Sequence, residues 1–213
     1  MKIQVKVDVF PLKNTFTISR GSRNQAEVLT VSIHENGITG YGECVPYARY
    51  NETIESVSKQ IKSIKFINRL DLQKVLPPGA ARNALDCALW DLEAKKNKTT
   101  AYQIAKLKKP LPVLTAYTLS LDDPIKMGKQ AKINSFRHLL KIKLGGGNLD
   151  FERIKEVKNN APNSSIIVDA NEGWTIDEYE FMAPKLQNLG VKMVEQPLPS
   201  VNDEALLGGK RIL

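Results

Sequence analysis

Polar and apolar side chains alternate along residues 2–10 and 27–34, and the alternation resumes at 38–43 (ITGYGE) after the pair Asn36-Gly37. Such alternation puts one face of a strand on a core and the other in solvent, and an Asn-Gly pair supplies the backbone of a tight hairpin. These three segments are therefore expected to form an antiparallel meander. Helical spacing follows. Ile54, Val57, Ile61 and Ile64 recur on one face of 53–66, and 79–96 (GAARNALDCALWDLEAKK) is rich in Ala and Leu behind Pro77-Pro78. Strands followed by helices predict a compact α+β domain over residues 1–112, closing near Pro110–Pro112.

From residue 113 the pattern becomes an alternation of elements. Strands are expected at Leu114–Leu119, His138–Leu144, Ser165–Ala170 and Val191–Glu195. Helices are expected at 123–133, 149–159 and 176–189, and another starts over 201–207. Parallel strands need crossovers, usually helical, so four βα units in succession predict a parallel sheet over 113–213. A doubly wound sheet and a (β/α)-barrel both satisfy that order.

Composition narrows the class without naming a function. The 213 residues are 42% apolar and 25% charged, as in ordinary soluble proteins. No run approaches the roughly 18–20 apolar residues of a membrane span, and MKIQVKVDVFPLK lacks the apolar stretch of a signal peptide. A cytoplasmic protein with no membrane partner is expected. Cys44 and Cys87 belong to no CxxC or Cys/His cluster, so neither a disulfide nor a zinc site is indicated. Cys87, inside an apolar helical stretch, is expected to be a small buried hydrophobe. Lys and Arg exceed Asp and Glu by 31 to 23, giving +8. Yet Lys59, Lys62, Lys65, Lys95, Lys96 and Lys98 are scattered along helices without interleaved aromatics, which describes solvated faces rather than a nucleic-acid surface.

The informative residues sit at strand ends. Lys141 and Lys143 close the second strand of the alternating region, Asp169 the third and Glu195 the fourth, and Lys143, Asp169 and Glu195 are spaced 26 residues apart. Internal repetition of one unit produces such recurrence. In a barrel, these positions would share the mouth at the C-terminal strand ends. A charge directly behind IIV or MV is tolerable in a core when it pairs or holds a cation. Asp and Glu on adjacent strands are the hard oxygen donors that Mg²⁺ takes. A lysine near that cation and a second lysine feels like-charge repulsion, which lowers its pKa and frees it as a general base. The set suits one reaction: the metal binds a substrate carboxylate, a lysine removes the α-proton, and the metal stabilises the enediolate. Taken singly, each acid reads better as a helix N-cap or a surface ion pair and each lysine as a solvent-facing strand position; their joint recurrence at one interval moves the balance to a site. Gly145-Gly146-Gly147 follows a strand but lacks phosphate-loop form, Gly40-Tyr41-Gly42 reads as a turn, and His34 and His138 read as structural.

Lys141-Ile142-Lys143, Val168-Asp169-Ala170-Asn171 and Val194-Glu195-Gln196-Pro197 resemble motifs of the enolase superfamily, in its muconate-lactonising-enzyme-like branch. Ser19-Arg20-Gly21-Ser22-Arg23, Gly42-Glu43-Cys44-Val45-Pro46-Tyr47 and the stretch Gly79–Asp86 bring the resemblance closest to L-Ala-D/L-Glu dipeptide epimerases, from residue 2 to the end. The resemblance implies an α+β capping domain over 1–112, then an incomplete (β/α)-barrel of about four βα units over 113–213. It implies Lys143 as acid/base with Lys141 beside it, and Asp169 and Glu195 as Mg²⁺ ligands. It further implies Arg23, in a mobile loop of the capping domain, as the contact for a glutamate carboxylate, and Thr118 as a substrate contact. The substrate would be an acidic dipeptide, and full-length members would be homo-oligomers. Family members also supply a third carboxylate and a second lysine on later strands; the 26-residue interval would put the former near 221, with Gly208–Leu213 on the approach. The chain is thus expected to be a truncated epimerase. Another member, such as a cycloisomerase or o-succinylbenzoate synthase, and a catalytically inactive remnant are the competing expectations.

Overall fold

The N-terminal strands run further than their alternation. In the computed structural model, which describes residues 1–65 and 68–207, β1 covers Lys2–Ile18, β2 Gly21–Glu35 and β3 Ile38–Cys44. They form one sheet in the order β1-β2-β3, with β2 and β3 antiparallel from Leu29↔Cys44 to Glu35↔Ile38. Backbone contacts divide the chain into two compact units: Met1–Pro11 with Gln25–Leu111, and Leu12–Asn24 with Pro112 onward.

In the first unit, α1 (Ile54–Ser63) starts at a capping box in which Thr53 and Ser56 exchange side-chain and backbone hydrogen bonds. A second helix, α2 (Arg69–Val75), was not evident in the periodicity; Asn68 caps it. The long helix α3 (Ala80–Lys96) lies on β3, and α4 (Ala101–Ile104) adds a single turn. Gly40 and Gly42 correct the expected turn: they lie within β3 and let α3 approach. A Cβ on Gly42 would stand 2.1 Å from the Ala84 carbonyl oxygen, and one on Gly40 2.2 Å from that of Ala88. Leu29, Val31, Ile33, Val57, Ile61, Leu85 and Leu92 fill the core around this contact. Cys44 is buried there, and loss of hydration pushes its thiol up to about 11. Cys87, expected inside, is exposed. The buried stripe of α3 runs through Ala81, Ala84, Leu85, Ala88 and Leu92, and position 87 falls off it.

In the second unit four strands alternate with three helices: β4 (Tyr117–Leu119), α5 (Pro124–Ile133), β5 (Leu139–Lys143), α6 (Asp150–Asn160), β6 (Ser165–Asp169), α7 (Ile176–Asn188) and β7 (Val191–Glu195). β4 is shorter than expected, and the region expected to begin a helix at 201–207 holds only a 3₁₀ turn at Asp203–Leu206. Gly208–Leu213, read as the approach to a further strand, lie outside the described residues. The sheet is parallel and its order, β4-β5-β6-β7, is sequential without reversal. That is the order of a barrel wall and not of a doubly wound sheet, so the fold is an α+β region joined to a partial enolase-like barrel. Leu140, Ile142, Ile166 and Val168 share a core with Met127, Ala131, Ile154, Val157, Ala183 and Leu186 from the helices. Period two then turns Lys141, Lys143 and Asp169 to the opposite face. Among the described residues, no helix is long and apolar enough to cross a membrane.

Candidate active site

The 26-residue interval is one rung of the parallel ladder. Lys143 is the register partner of Asp169, and Asp169 of Glu195. The last pairing depends on a feature the sequence hides: between the Ile166↔Val191 and Val168↔Val194 pairs the register shifts, giving β7 one residue more than β6. The bulge brings Glu195 level with Asp169 and onto the same face.

Four of the six expected site residues form one ion-pair cluster. Lys143 Nζ donates to Asp169 Oδ2 at 2.6 Å. Lys141 Nζ lies 3.0 Å from the same Oδ2 and 2.6 Å from Glu195 Oε2. Asp169 is 1% exposed, and its second oxygen, Oδ1, accepts the Asn171 N–H at 2.9 Å. Burial raises its carboxyl pKa, but hydrogen bonds from Lys143, Lys141 and the Asn171 amide outweigh this and hold it below the usual range. Lys141 is pulled both ways. Burial pushes that ammonium down, yet Glu195 and Asp169 more than offset it, leaving it above the ordinary lysine value. Opposite charges at contact distance outweigh a like-charged neighbour.

Thr118 is the register partner of Lys141 on the neighbouring strand and is half-buried. Arg23 lies in β2, on an exposed stretch. Two other residues of the motif, Ser19 and Arg20, reach the turn after β6. Arg20 Nη1 and Ser19 Oγ both donate to the Asn171 carbonyl, at 2.6 and 2.8 Å, and Arg20 pairs with Glu172 at 3.3 Å.

The sequence motif includes Asn171, but sequence reasoning gave neither it nor the turns around it a role. Asn171 (φ 48°), Glu172 (φ 66°) and Gln196 (φ 44°) adopt left-handed backbone immediately past the strand-end carboxylates. This conformation is unfavourable for residues with a Cβ, and such strain gathers at functional sites. The Glu172 N–H donates to the Gln196 carbonyl at 2.7 Å, joining the two turns. Asn171 Oδ1 is buried without a hydrogen-bond partner. The Asn after Val168-Asp169-Ala170 was a signal, since Asn tolerates left-handed backbone better than most residues.

The donor set bears on a metal. Asp169 and Glu195 are carboxylates in register on adjacent strands, with an unpartnered amide oxygen two residues past the first. Such hard oxygen donors fit a small divalent cation, which accepts few protein ligands and fills its shell with water or substrate oxygens. Among the described residues, no group of three His, Cys, Asp or Glu side chains is gathered for one ion.

Residues 2–105 match the family model for the mandelate racemase / muconate lactonizing enzyme N-terminal domain, and residues 126–209 the enolase C-terminal domain-like model. An L-Ala-D/L-Glu epimerase of Escherichia coli is 42% identical over 211 residues, which cover 96% of this chain and 65% of that protein. An enolase family member from Agrobacterium tumefaciens with homology to dipeptide epimerases, solved with sodium and L-Ala-L-Glu, superposes with a TM-score of 0.94 at 42% identity. The match covers 99% of this chain and 66% of that one. A dipeptide epimerase from Enterococcus faecalis, complexed with Mg and L-Leu-L-Tyr, gives 0.87 at 29% identity, covering 96% and 62% of the two chains. The chain thus spans about two thirds of the length of these relatives.

Proposed function

The chain belongs to the mandelate racemase/muconate lactonizing enzyme family of the enolase superfamily, and on that premise we propose that it acts as a dipeptide epimerase, moving the α-proton of an acidic dipeptide of the Ala-Glu type. The observation that carries this reading is the rung Lys143↔Asp169↔Glu195, with Lys141 bridging both carboxylates. It supports the reading because it holds lysine amines beside two hard oxygen donors at the C-terminal ends of barrel strands, where barrel enzymes place their chemistry.

In this reading Asp169 and Glu195 hold Mg²⁺, whose charge would stabilise the negative charge that builds on the substrate carboxylate when the α-proton leaves. Lys143 is the acid/base on one face, and the buried Asp169 carboxylate fixes its amine in place. Lys141, which bridges both carboxylates, supplies positive charge beside them. Arg23 and Thr118 are assigned to substrate, Arg23 through a charge-assisted bond to a side-chain carboxylate. Residues 1–112 act as the capping domain and 113–213 as barrel. The acidic dipeptide is supported by the activity named for the Escherichia coli relative and by the L-Ala-L-Glu bound in the Agrobacterium structure. The use of Mg²⁺ is supported by the Enterococcus complex.

The test is incubation with L-Ala-D-Glu and Mg²⁺ in D₂O, followed by NMR. Deuterium should enter the glutamate α-position, and Lys143→Ala should abolish its entry. Exchange without epimerisation would identify one working base. Absence of both exchange and Mg²⁺-dependent binding would overturn the proposal.

A further inference from the structure

One buried carboxylate near the site takes no part in that chemistry. Asp150, the first residue of α6, is 0% exposed and receives four donors. Gly145 N and Gly146 N reach it at 3.3 and 2.9 Å, Trp174 Nε1 at 2.8 Å and Arg153 Nη1 at 2.7 Å. Arg153 in turn donates through Nε to the Asp122 carbonyl at 2.9 Å. Two loops supply donors directly, β5–α6 through Gly145 and Gly146 and β6–α7 through Trp174, while Arg153 on α6 links the carboxylate to the Asp122 carbonyl in the β4–α5 loop. A charge with so many donors is an exacting fit, since a buried carboxylate is stable only when its lone pairs are satisfied.

The loops are also in steric contact. A Cβ on Gly145 would stand 2.6 Å from Leu121 Cδ2, and Gly146, at φ +83°, packs so that a Cβ would lie 2.5 Å from the Gly173 carbonyl oxygen. Lys143 is two residues before Gly145, and Asp169 five before Trp174. The next amide, Leu144 N, donates to the Asp169 carbonyl at 3.0 Å. The backbone segments that aim Lys143 and Asp169 at each other thus both end on Asp150.

We propose that Asp150 is a positioning residue: its carboxylate clamps the β5–α6 and β6–α7 loops so that the Lys143 amine is held against Asp169. The catalytic significance of that placement rests on the proposed function, but the placement itself does not. Asp150→Asn preserves volume while putting an NH₂ where a donor must be received, so at least one of the four partners is left unpaired.

The measurement is competitive acylation of lysine amines in the full chain, read by peptide mass spectrometry. Lys143, whose side chain is 11% exposed, should label about tenfold faster in Asp150→Asn, the order by which losing a hydrogen bond to a charged group favours local opening. Lys155, exposed on α6, should label at the wild-type rate. Trp174→Phe removes the indole donor alone, should raise Lys143 labelling by a smaller factor, about threefold for one lost hydrogen bond, and is the variant to read should Asp150→Asn fail to fold. Unchanged Lys143 labelling in a folded variant overturns the proposal, whatever the deuterium experiment shows. Raised labelling in a protein that exchanges no substrate proton sustains the positioning role and removes only the proposed function.

Discussion

Lys143 and Asp169 face each other across neighbouring parallel strands, 2.6 Å apart, with side chains 11% and 1% exposed. A pair so enclosed behaves unlike a surface ion pair, because neither member regains full hydration when the other is removed.

Asp169→Ala is therefore expected to destabilise the barrel region by about 3–5 kcal/mol, the usual result of leaving a buried charge without its partner. Urea denaturation followed through Trp174, which is buried in the same core, measures the loss. Lys143→Met in the same chain should restore most of it, because the orphaned ammonium is then gone.

Acid and alkali should act on different members of the cluster. Asp169 has its pKa lowered in the folded state, so its stabilisation is complete above the unfolded value of about 3.9 and disappears as pH falls through the lower folded value. Lys141 has its pKa raised, so its contribution is complete below about 10.4 and disappears as pH rises through the higher folded value. Urea midpoints against pH should fall at both ends, with Asp169→Asn flattening the acid limb and Lys141→Met the alkaline one.

Glu195→Gln should separate metal affinity from stability. The Glu195 side chain is 37% exposed, so the thermal midpoint should move little. Mg²⁺ affinity by calorimetry should fall at least about tenfold, and EDTA should suppress deuterium exchange in the unaltered chain. Equal Mg²⁺ affinity in the two proteins would remove Glu195 from the ligand set.

The contact of α3 with β3 predicts a contrast between two glycines. Gly42→Ala drives a methyl group toward the Ala84 carbonyl oxygen, 2.1 Å away, and should cost about 3 kcal/mol through overpacking. Gly37→Ala meets no atom within 4 Å but sits at φ +77°, and should cost only about 1 kcal/mol. Thermal melts of the two variants give the comparison.

The two thiols should differ as sharply. At pH 8 iodoacetamide should modify exposed Cys87 at least about tenfold faster than Cys44. Cys44 is both shielded and raised to about 11, and peptide mapping distinguishes the two.

Much of the second unit was legible because its signals are periodic. β7 falls on the expected Val191–Glu195, and the ends of α5, α6 and α7 lie within a residue of their expected positions. The shared rung of Lys143, Asp169 and Glu195 was suggested by one repeated interval, but β7 enters one residue out of step with β6, at Ile166↔Val191, and regains the rung only through its bulge. Other features were invisible for physical reasons. The bulge in β7 is a property of pairing, which one strand's composition does not carry. Gly40 and Gly42 looked like punctuation because their purpose, room for Ala84 and Ala88, lies more than forty residues away. The Asp150 clamp joins loops distant in sequence, and its glycines resembled an incomplete phosphate loop.

The left-handed turns at Asn171, Glu172 and Gln196 also bear on association kinetics. Each turn is bent in the folded chain and tied by backbone bonds to its neighbour, so the rim beside the carboxylates takes its shape during folding. An arriving ligand then meets a surface already set, and its capture rate at this rim should be limited by diffusion and dehydration, without a slow rearrangement of the turns themselves.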